Sequence, residues 1–427
     1  MRLIIKGQRQ LSGSFTPVGN KNAALPMLAA CLLTDQPVTL RNLPLINDVR
    51  VMLQLLAELG ADIALNEKTR TATVTAARIR RSRLNADLCR RVRASILFAG
   101  PLTVRMGRAN IFPPGGDVIG RRRVDTHLTA LRALGVKVEG GEFFAFSAKR
   151  RLRGSSILLE EASVTGTENL MMAAVTALGE TSVYNAACEP HVQDLGALLI
   201  KMGARIEGLG TNRIRIEGVE ALGGADHTIG PDYIEAGSYL AAAAVTGGEL
   251  RVSGIPEGDL RSVLGRVFAR LGVDWKDEGD LLLQPAHRSF RIRRDFGGAI
   301  SKVEDGIWPM FPSDLMSVAI VLATQARGSV LFHEKLFESR MYFVDRLIEM
   351  GARVVQCDPH RVVVDGPAKL HGIHMSSPDI RAGMAMLIAA LCARGTSIID
   401  GAEVIDRGYE NVDERLRALG ADVQREA

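Results

Sequence analysis

The chain has 427 residues, of which 47% are apolar and 24% charged, and its formal net charge at pH 7 is +5. That length indicates two domains, and that composition is typical of a globular protein and excludes a disordered or fibrous chain. No stretch approaches the roughly 20 consecutive apolar residues of a membrane span, and the opening residues, MRLIIKGQRQ, do not resemble a signal peptide. We therefore expect no association with a membrane.

The cysteine and arginine content indicates the cellular compartment of the protein and the chemical class of its ligands. The five cysteines form no CxxC pair, which favours a reducing cytoplasm over a disulfide framework or a zinc site. There are 43 arginines and 10 lysines, and arginine suits bidentate contacts with phosphate and carboxylate groups. Few aromatic residues and no concentrated basic tract weaken the case for nucleic acid. Small phosphorylated or carboxylated ligands remain possible, and composition alone does not distinguish between these classes of anionic ligand.

One short pattern recurs six times along the chain. In each copy a helix-like stretch ends in Leu or Met, a glycine follows, and β-prone residues, mostly alternating, come next. Such a glycine supplies the left-handed position just past a helix, and the alternation is typical of a half-buried strand. The pattern predicts six surface helices, each followed by a strand. The glycines are Gly60, Gly135, Gly203, Gly272, Gly351 and Gly420.

A second kind of helix alternates with the first. Five stretches are apolar nearly all round and rich in alanine, so they should be buried and packed against one another. They are residues 23–33, 169–178, 236–245, 313–324 and 381–391. Each precedes a β-prone run, which predicts six units of about 70 residues, three in each of two domains. The Gly-containing segment 227–235 separates the third unit from the fourth.

Two segments of the first half combine charge with places where a ligand can bind. Lys21 in PVGNKNAALP lies at the entrance to the first buried helix, where N–H groups favour an anion. A plain helix cap by Asn20 or Asn22 explains that segment equally well. In PPGGDVIGRRRVDTHL, glycines surround Asp117 and three arginines follow. The arginines alone are typical of a solvated surface, but beside one carboxyl on a flexible loop they suit a lid over an anionic substrate.

The second half places charges at helix starts and at junctions between units. Asp314 in FPSDLMS begins the 313–324 helix, where an N-cap is the simpler interpretation. Arg340, Arg381 and Arg407 each stand near an acid, and singly these are ordinary surface pairs. A cationic cleft between the two domains would be lined by these arginines together with Lys21, Arg93 and Arg122.

Eight motifs taken together identify a family. They are GNKNAALP, VRASILFAGPL, PPGGDVIGRRRVDTHL, SVTGTENLMMAA, FPSDLMS, FESR, DIRAG and IDRGYE. They closely resemble the enolpyruvyl transferases, and over residues 3–422 they are most similar to the branch that uses UDP-N-acetylglucosamine as acceptor. The sister branch acting on shikimate 3-phosphate shares the six-unit architecture but not GNKNAALP or this form of the glycine-rich loop.

The resemblance implies an α/β fold of two domains, each an inside-out α/β barrel of three βαβαββ-like units. Residues 20–230 would form the first domain and carry the mobile loop 113–123, and residues 1–19 and 231–427 would form the second. It also implies a reaction in which the sugar 3′-hydroxyl adds to C2 of phosphoenolpyruvate and phosphate leaves from a tetrahedral intermediate. This reaction is the first committed step of peptidoglycan synthesis. Its partners are small molecules, and no nucleic acid, cofactor or metal is expected.

The resemblance also implies roles for individual residues. Asp117 would protonate C3 of phosphoenolpyruvate, and Asp314 would be the base for the sugar hydroxyl. Lys21, Arg122 and Arg407 would contact phosphoenolpyruvate, with Lys21 and Arg407 taking part in catalysis. The acceptor contacts would be Asn22 and Arg93 for the amino sugar, Asp125, Ser163, Val164 and Thr165 for the uridine diphosphate, and Leu336, Arg340, Asp379 and Arg381 on the C-terminal side.

Two positions depart from the pattern of the family. Most members carry a cysteine where this chain has Asp117, although some use aspartate, and a carboxyl delivers a proton only if it is protonated near neutral pH. We expect Asp117→Asn to abolish turnover. The epoxide fosfomycin, which alkylates the cysteine of the family, should not inactivate this protein. Arg123 replaces a common proline near the expected uracil position.

Two other functions are open at this stage. The chain resembles enolpyruvyl transferases in general, so the acceptor can be another alcohol, as in the shikimate 3-phosphate branch. The missing cysteine also allows a catalytically silent paralogue that binds ligands without releasing phosphate. Phosphate release with a panel of acceptors separates all three.

Overall fold

The protein forms two compact units in the structure, a computed structural model. Unit 1 comprises the described residues of Met1–Pro17, Asp117–Arg122 and Pro231–Ala427, and unit 2 those of Val18–Gly116 and Arg123–Gly230. The residues described are 1–116, 119–120, 122–149, 151–287 and 289–426.

The strands are short. In chain order they are β1 (Arg2–Lys6), β2 (Gly13–Phe15), β3 (Val38–Arg41), β4 (Asp62–Asn66), β5 (Thr71–Thr75), β6 (Arg108–Ile111), β7 (Lys137–Glu139), β8 (Phe144–Ser147), β9 (Ser156–Leu158), β10 (Glu180–Tyr184), β11 (Arg205–Glu207), β12 (Arg213–Glu217), β13 (Ala225–Thr228), β14 (Leu250–Ser253), β15 (Lys276–Glu278), β16 (Leu281–Gln284), β17 (Ser301–Glu304), β18 (Gly328–His333), β19 (Val354–Asp358), β20 (Arg361–Gly366), β21 (His374–Ser376), β22 (Thr396–Asp400) and β23 (Asp422–Glu426).

The helices alternate with these strands. They are α1 (Lys21–Ala30), α2 (Asn47–Leu59), α3 (Ala86–Arg91), α4 (Ala99–Met106), α5 (Asp125–Ala133), α6 (Val164–Ala174), α7 (Pro190–Lys201), α8 (Tyr233–Thr246), α9 (Asp259–Arg270), α10 (Met316–Gln325), α11 (Val344–Glu349), α12 (Ile380–Cys392), α13 (Ala402–Ile405) and α14 (Val412–Ala418). Short 3-10 helices are Cys31–Leu33, Arg93–Phe98, Phe296–Gly298 and Ser313–Leu315. Each described helix is too short or too polar to cross a membrane.

The strands of the described residues form mixed sheets, three in each unit. Unit 2 holds β13-β3-β5-β4, β11-β12-β10-β9 and β6-β8-β7, and unit 1 holds β15-β16-β14-β2, β17-β18-β20-β19 and β21-β22-β1-β23. Every four-stranded sheet has one parallel and two antiparallel strand pairs. In the last sheet, β1 from the start of the chain lies between β22 and β23 from its end. The predicted α/β class is confirmed.

The predicted surface helices are confirmed. Helices α2, α5, α7, α9, α11 and α14 each end one or two residues before one of the six repeated glycines. All six glycines have positive φ, between 88° and 106°, a conformation that side chains with a Cβ adopt only at a cost. A strand follows each glycine within four residues. The local pattern therefore predicted both the helix ends and the strands that follow them.

The predicted buried helices are also confirmed, with one omission. In unit 1, α8, α10 and α12 pack against one another, and nearly all of their residues are buried. In unit 2, α6 packs against both α1 and α4. Sequence periodicity missed α4, because Gly100 and Pro101 interrupt the helical pattern. Gly100 is required there, since a Cβ at this position would lie 2.7 Å from Oδ1 of Asn169 on α6.

Candidate active site

Asp314 is the centre of an ion cluster in unit 1. It lies in the 3-10 helix Ser313–Leu315, which leads directly into α10. Its Oδ1 accepts a hydrogen bond from Nη2 of Arg340 at 3.0 Å, and its Oδ2 accepts from Nε and Nη2 of Arg381 at 3.1 and 2.9 Å. Neither helix uses Asp314 as its N-cap, so that interpretation is wrong. The side chains of the two arginines are buried, whereas that of Asp314 is 29% exposed.

Arg381 is fixed by the start of α12 and by its neighbours. Asp379 caps this helix, and its Oδ1 accepts the backbone N–H groups of Arg381 and Ala382 at 2.8 and 2.9 Å. The guanidinium carbon lies 5.4 Å from the centre of the Tyr409 ring. Burial acts to lower the pKa of Arg381, but the charges of Asp314 and Asp232 and the hydrogen bond to Tyr409 outweigh burial, and the pKa is raised. Arg381 therefore stays cationic beside Asp314.

Two predicted binding arginines share one aromatic ring in unit 1. The guanidinium carbons of Arg122 and Arg340 lie 5.9 and 5.2 Å from the centre of the Phe337 ring. Nη1 of Arg340 is buried and has no hydrogen-bond acceptor among the described residues. The predicted Leu336 is next to this ring in sequence, and its side chain is exposed. Phe337 was not predicted as a site residue, although it is the first residue of the FESR motif.

Lys21 begins α1 in unit 2 and is paired with an acid. Asn20 caps the helix by accepting the N–H of Ala23, which confirms the capping interpretation for that residue. Nζ of Lys21 lies 2.8 Å from Oδ2 of Asp48, and both side chains are buried. The predicted Asn22 is the next residue of α1 and is half-buried. Asp48 was missed, because in the sequence it is an ordinary acid in the first turn of α2.

Arg93 and Asp125 are linked through Arg123 in unit 2. Nη2 of Arg93 donates to the backbone oxygen of Arg123 at 3.1 Å, and Nε of Arg123 lies 2.5 Å from Oδ2 of Asp125. Gly115 approaches the chain before Arg93 so closely that a Cβ on it would lie 1.7 Å from the backbone oxygen of Arg90. A glycine is therefore required where this loop leaves unit 2.

A chain of hydrogen bonds in unit 2 ends at Thr165, in the first turn of α6. Asn169 is oriented by two backbone groups, because its Oδ1 accepts from Gly100 N–H and its Nδ2 donates to Ile96 oxygen. Nδ2 of Asn169 therefore donates to Nδ1 of His127 at 3.1 Å, which places the ring proton on Nε2. Nε2 lies 3.0 Å from Oγ1 of Thr165. Burial and the charge of Arg93 lower the pKa of His127 to about 3, so the ring is neutral near pH 7.

This arrangement prepares Thr165 to donate a hydrogen bond. Its oxygen accepts from His127, so its own hydroxyl proton is directed elsewhere. Ser163 caps the same helix by accepting the N–H of Gly166 at 3.2 Å, and the backbone N–H groups of Val164 and Thr165 lie in its first turn. Backbone N–H groups at a helix start favour an anion. The start of α6 is therefore a donor-rich surface.

Comparison with known proteins agrees with this chemistry. The profile of the EPSP synthase (3-phosphoshikimate 1-carboxyvinyltransferase) family matches residues 5–416. The UDP-N-acetylglucosamine 1-carboxyvinyltransferase of Bradyrhizobium diazoefficiens is 52% identical over 426 residues, covering 100% of this chain and 98% of that protein. The protein of the same name from Treponema denticola is 51% identical over 421 residues, covering 99% of this chain and 98% of its own. The chain belongs to the carboxyvinyl (enolpyruvyl) transferases.

Solved structures agree on the fold of this transferase. The enolpyruvyl transferase NikO from Streptomyces tendae superposes with a TM-score of 0.88 at 24% identity, covering 99% of this chain and 98% of that one. EPSP synthase from Acinetobacter baumannii gives a TM-score of 0.77 at 17% identity, with both chains covered completely. The identities are low, so these likenesses concern the fold alone.

The structure groups part of the predicted site of the transferase within each unit. In unit 1, Arg340 and Arg381 both contact Asp314, whereas Arg407 is half-buried in the segment after α13. Asp117 lies outside the described residues. That residues of both units line one cleft stays a prediction. Among the described residues no three His, Cys, Asp or Glu side chains come together as metal ligands would.

Proposed function

We propose that the transferase moves the enolpyruvyl group of phosphoenolpyruvate to the 3′-hydroxyl of UDP-N-acetylglucosamine and releases phosphate, the first committed step of peptidoglycan synthesis. The observation that carries this proposal is identity of 45–52% along essentially the whole chain to proteins named for that acceptor. These relatives do not favour another acceptor alcohol. The cluster around Asp314 does not favour a silent paralogue, because it keeps the charged groups that the chemistry needs.

Asp314 is the proposed base. Attack of the hydroxyl on C2 releases a proton, and a base within hydrogen-bond reach lowers the barrier by accepting it. The Asp314 side chain is open to a ligand, while two buried guanidinium groups behind it balance its charge and fix its orientation. A carboxylate held in this way loses little rotational freedom when substrate binds.

Phosphoenolpyruvate carries about three negative charges, which cations must offset. We assign this task to Lys21, Arg122 and Arg407. The Phe337 ring supports Arg122, and the ion pair with Asp48 fixes Lys21. The buried Nη1 of Arg340 supplies a further donor for an anionic substrate. Charge-assisted hydrogen bonds of this kind both bind the anion and orient it.

The acceptor is assigned mainly to unit 2. A diphosphate matches the first turn of α6, where Ser163, Val164 and Thr165 lie. Asn22 and Arg93 are the proposed contacts of the amino sugar, and Asp125 of the uridine. Leu336, Asp379 and the two arginines of the Asp314 cluster complete the contacts from unit 1.

Asp117 is the proposed acid that protonates C3. The addition requires a proton on C3 while oxygen attacks C2, and a carboxyl is a suitable donor if it remains protonated. Burial and the charge of the substrate favour the protonated form, and a nearby arginine opposes it. Asp117→Asn removes the proton but retains the size of the side chain, so turnover should be lost while both substrates still bind.

We further propose that each unit is one functional domain, folded as an inside-out α/β barrel of three repeated units. The six glycine-ended helices and the three sheets in each unit support this proposal. Among the described residues the β6-β8-β7 sheet has three strands rather than four, but a single parallel bridge joins Arg83 to Asn110 of β6. That bridge lies where the other five sheets have their parallel strand. The domains would then be residues 20–230, and residues 1–19 with 231–427.

The proposed location is the cytoplasm. All five cysteines are free thiols, three of them buried, and a reducing compartment preserves thiols. The partners in this proposal are the two small substrates.

Phosphate release tests the function directly. Purified protein with phosphoenolpyruvate should release phosphate when UDP-N-acetylglucosamine is added, and much less with shikimate 3-phosphate or other alcohols. Asp314→Asn should reduce kcat by at least about a thousandfold because the base is lost, without loss of folded structure. Release with another acceptor alone would reassign the substrate, and ligand binding without release would favour the silent paralogue.

A further inference from the structure

Two carboxyl groups lie side by side beneath the Asp314 cluster in unit 1. Strands β17 and β18 are parallel neighbours, with Glu304 opposite His333. The residues that follow them are Asp305 and Glu334, which therefore leave the sheet at the same edge. Both side chains are completely buried. Neither residue belongs to a motif that stands out in the sequence.

One carboxyl oxygen of this pair needs a hydrogen-bond donor. Oδ1 of Asp305 accepts the backbone N–H of Lys335 at 2.5 Å, whereas its buried Oδ2 faces no donor among the described residues. A protonated Glu334 would supply that donor. Burial, together with the hydrogen bond to Asp305, raises the pKa of Glu334 to about 9, although the charge of Arg340 acts against this shift. Two adjacent buried carboxyls are not both ionised without a large cost.

The charges nearby agree with one proton on the pair. Arg340 and Arg381 carry two positive charges, and Asp314 carries one negative charge. A pair holding one proton adds one more negative charge to this buried region, whereas a fully ionised pair adds two. The second charge would be buried next to the first and close to the proposed base, at a large cost in desolvation.

Glu334 also contacts the segments that carry Asp314, Phe337 and Arg340. Both of its carboxyl oxygens lie within hydrogen-bond distance of the donor Oγ of Ser313, the residue before Asp314, at 2.8 and 2.9 Å. Its Oε1 accepts the backbone N–H groups of Leu336 and Phe337 at 3.3 and 3.1 Å. Its Oε2 lies 3.8 Å from Nε of Arg340. One buried carboxyl therefore connects the base, the aromatic ring and the arginine.

We propose that Asp305 and Glu334 share one proton and act as positioning residues that hold Asp314 and Arg340 in their working geometry. This inference rests on the proposed function, but the pair is completely buried and is distinct from the proposed reacting and binding groups. The other titratable or charged groups around Glu334 are Arg340, Asp314, Lys335, His333, His360 and Glu304.

A set of amide variants tests the charge of the pair. Glu334→Gln and Asp305→Asn each leave one carboxylate and one hydrogen-bond donor, so kcat should stay within about threefold of the wild-type value. The double variant has the same shape but no negative charge. Its kcat should fall at least about tenfold, far more than the two single effects combined. A double variant with wild-type kcat, or single variants as impaired as the double, would overturn the proposal.

Stability measurements provide a readout that needs no substrate. The pKa of Glu334 is higher in the folded state than in the unfolded state. Its contribution to the free energy of unfolding is therefore present at low pH and is lost as pH rises from about 5 to about 9. In urea unfolding, Glu334→Gln should show a smaller loss of stability over that range than the wild type. Identical pH profiles would overturn the shared proton even if the double variant failed to fold.

Glu304 provides the matched control. It directly precedes Asp305, and hydrogen bonding to Lys302 lowers its pKa to about 2, with further help from Lys335. Glu304→Gln should therefore leave the slope between pH 5 and 9 unchanged. If the wild type releases no phosphate with UDP-N-acetylglucosamine, the proposed function fails, whereas the stability comparison still decides whether the proton is shared.

Discussion

At the scale of single residues, the charged groups act in clusters rather than as isolated pairs. Asp314 is held by two arginines, and Arg340 contacts Asp314, Glu334 and the Phe337 ring together. Changing one member of such a group disturbs the others, so effects measured on single variants will not add. Kinetic tests in this region therefore need isosteric variants.

Fosfomycin tests the replacement of the family's cysteine. Asp117 offers a carboxyl, which is a far poorer nucleophile toward an epoxide than a thiolate. We expect no time-dependent inactivation of the wild type, and inactivation of the Asp117→Cys variant. Burial raises the pKa of Cys31, Cys89 and Cys188, so these thiols should not react either. A stoichiometric adduct on residue 117 of the wild type, found by mass spectrometry, would contradict this prediction.

Thr165 tests the hydrogen-bond chain of unit 2. Thr165→Val removes the hydroxyl that His127 orients but retains the shape of the side chain. The KM for UDP-N-acetylglucosamine should rise about tenfold with little change in the KM for phosphoenolpyruvate, because the lost donor serves an anionic group of the acceptor. Thr165→Ser keeps the hydroxyl and should behave like the wild type. Equal KM values for the valine and serine variants would refute the assignment.

At the scale of elements, the repeated helix–glycine–strand pattern stabilises the fold at six places. Gly135 follows α5 with φ of 95°, and apart from its chain neighbours no atom of the described residues lies within 4 Å of where its Cβ would be. Gly135→Ala should lower the free energy of unfolding by about 1 kcal/mol through backbone strain alone.

Gly140 is the control for that prediction. It also has open space around its missing Cβ, but its backbone is not in the left-handed region. Gly140→Ala should therefore be nearly neutral in urea denaturation. If both alanines cost the same, the helix-end conformation is not the reason for the glycine.

At the scale of the whole molecule, buried carboxyls make stability depend on pH. Glu168 on α6 is buried, and neither of its carboxyl oxygens has a partner among the described residues. Burial, followed by the charge of Glu189, raises its pKa well above 4.5. The contribution of Glu168 to the free energy of unfolding is complete below the pKa that this carboxyl has in the unfolded state, and it is lost as pH rises above that value. Glu168→Gln should therefore match the wild type near pH 4.5 and be more stable at pH 8.

Glu180 is the opposite case and serves as the control for Glu168. A hydrogen bond from Arg215 lowers its pKa, so its contribution is lost as pH falls. Glu180→Gln should leave the alkaline part of the profile unchanged. Urea titrations at several pH values would show whether the Glu168 variant, and not the Glu180 variant, removes the loss of stability at alkaline pH.

The amino-acid sequence by itself determined the helix ends, the buried helices and the family. Helical periodicity and the need for a left-handed glycine are local properties, so the roles of Gly135 and its five counterparts could be predicted without knowledge of any tertiary contact. The family motifs could be recognised for the same reason, since each lies in a short continuous segment.

Only the tertiary structure decided which charges meet. From the sequence Asp314 is expected to cap a helix, whereas in the structure it pairs with Arg340 and Arg381, 26 and 67 residues away. Lys21 and Asp48 meet because α1 packs on α2, and Asp305 meets Glu334 because two parallel strands end together. These partners depend on how helices and strands pack, and spacing along the chain carries no information about that packing. Helix α4 was not predicted for the same reason, because only its packing against α6 explains Gly100, a residue that locally disfavours a helix.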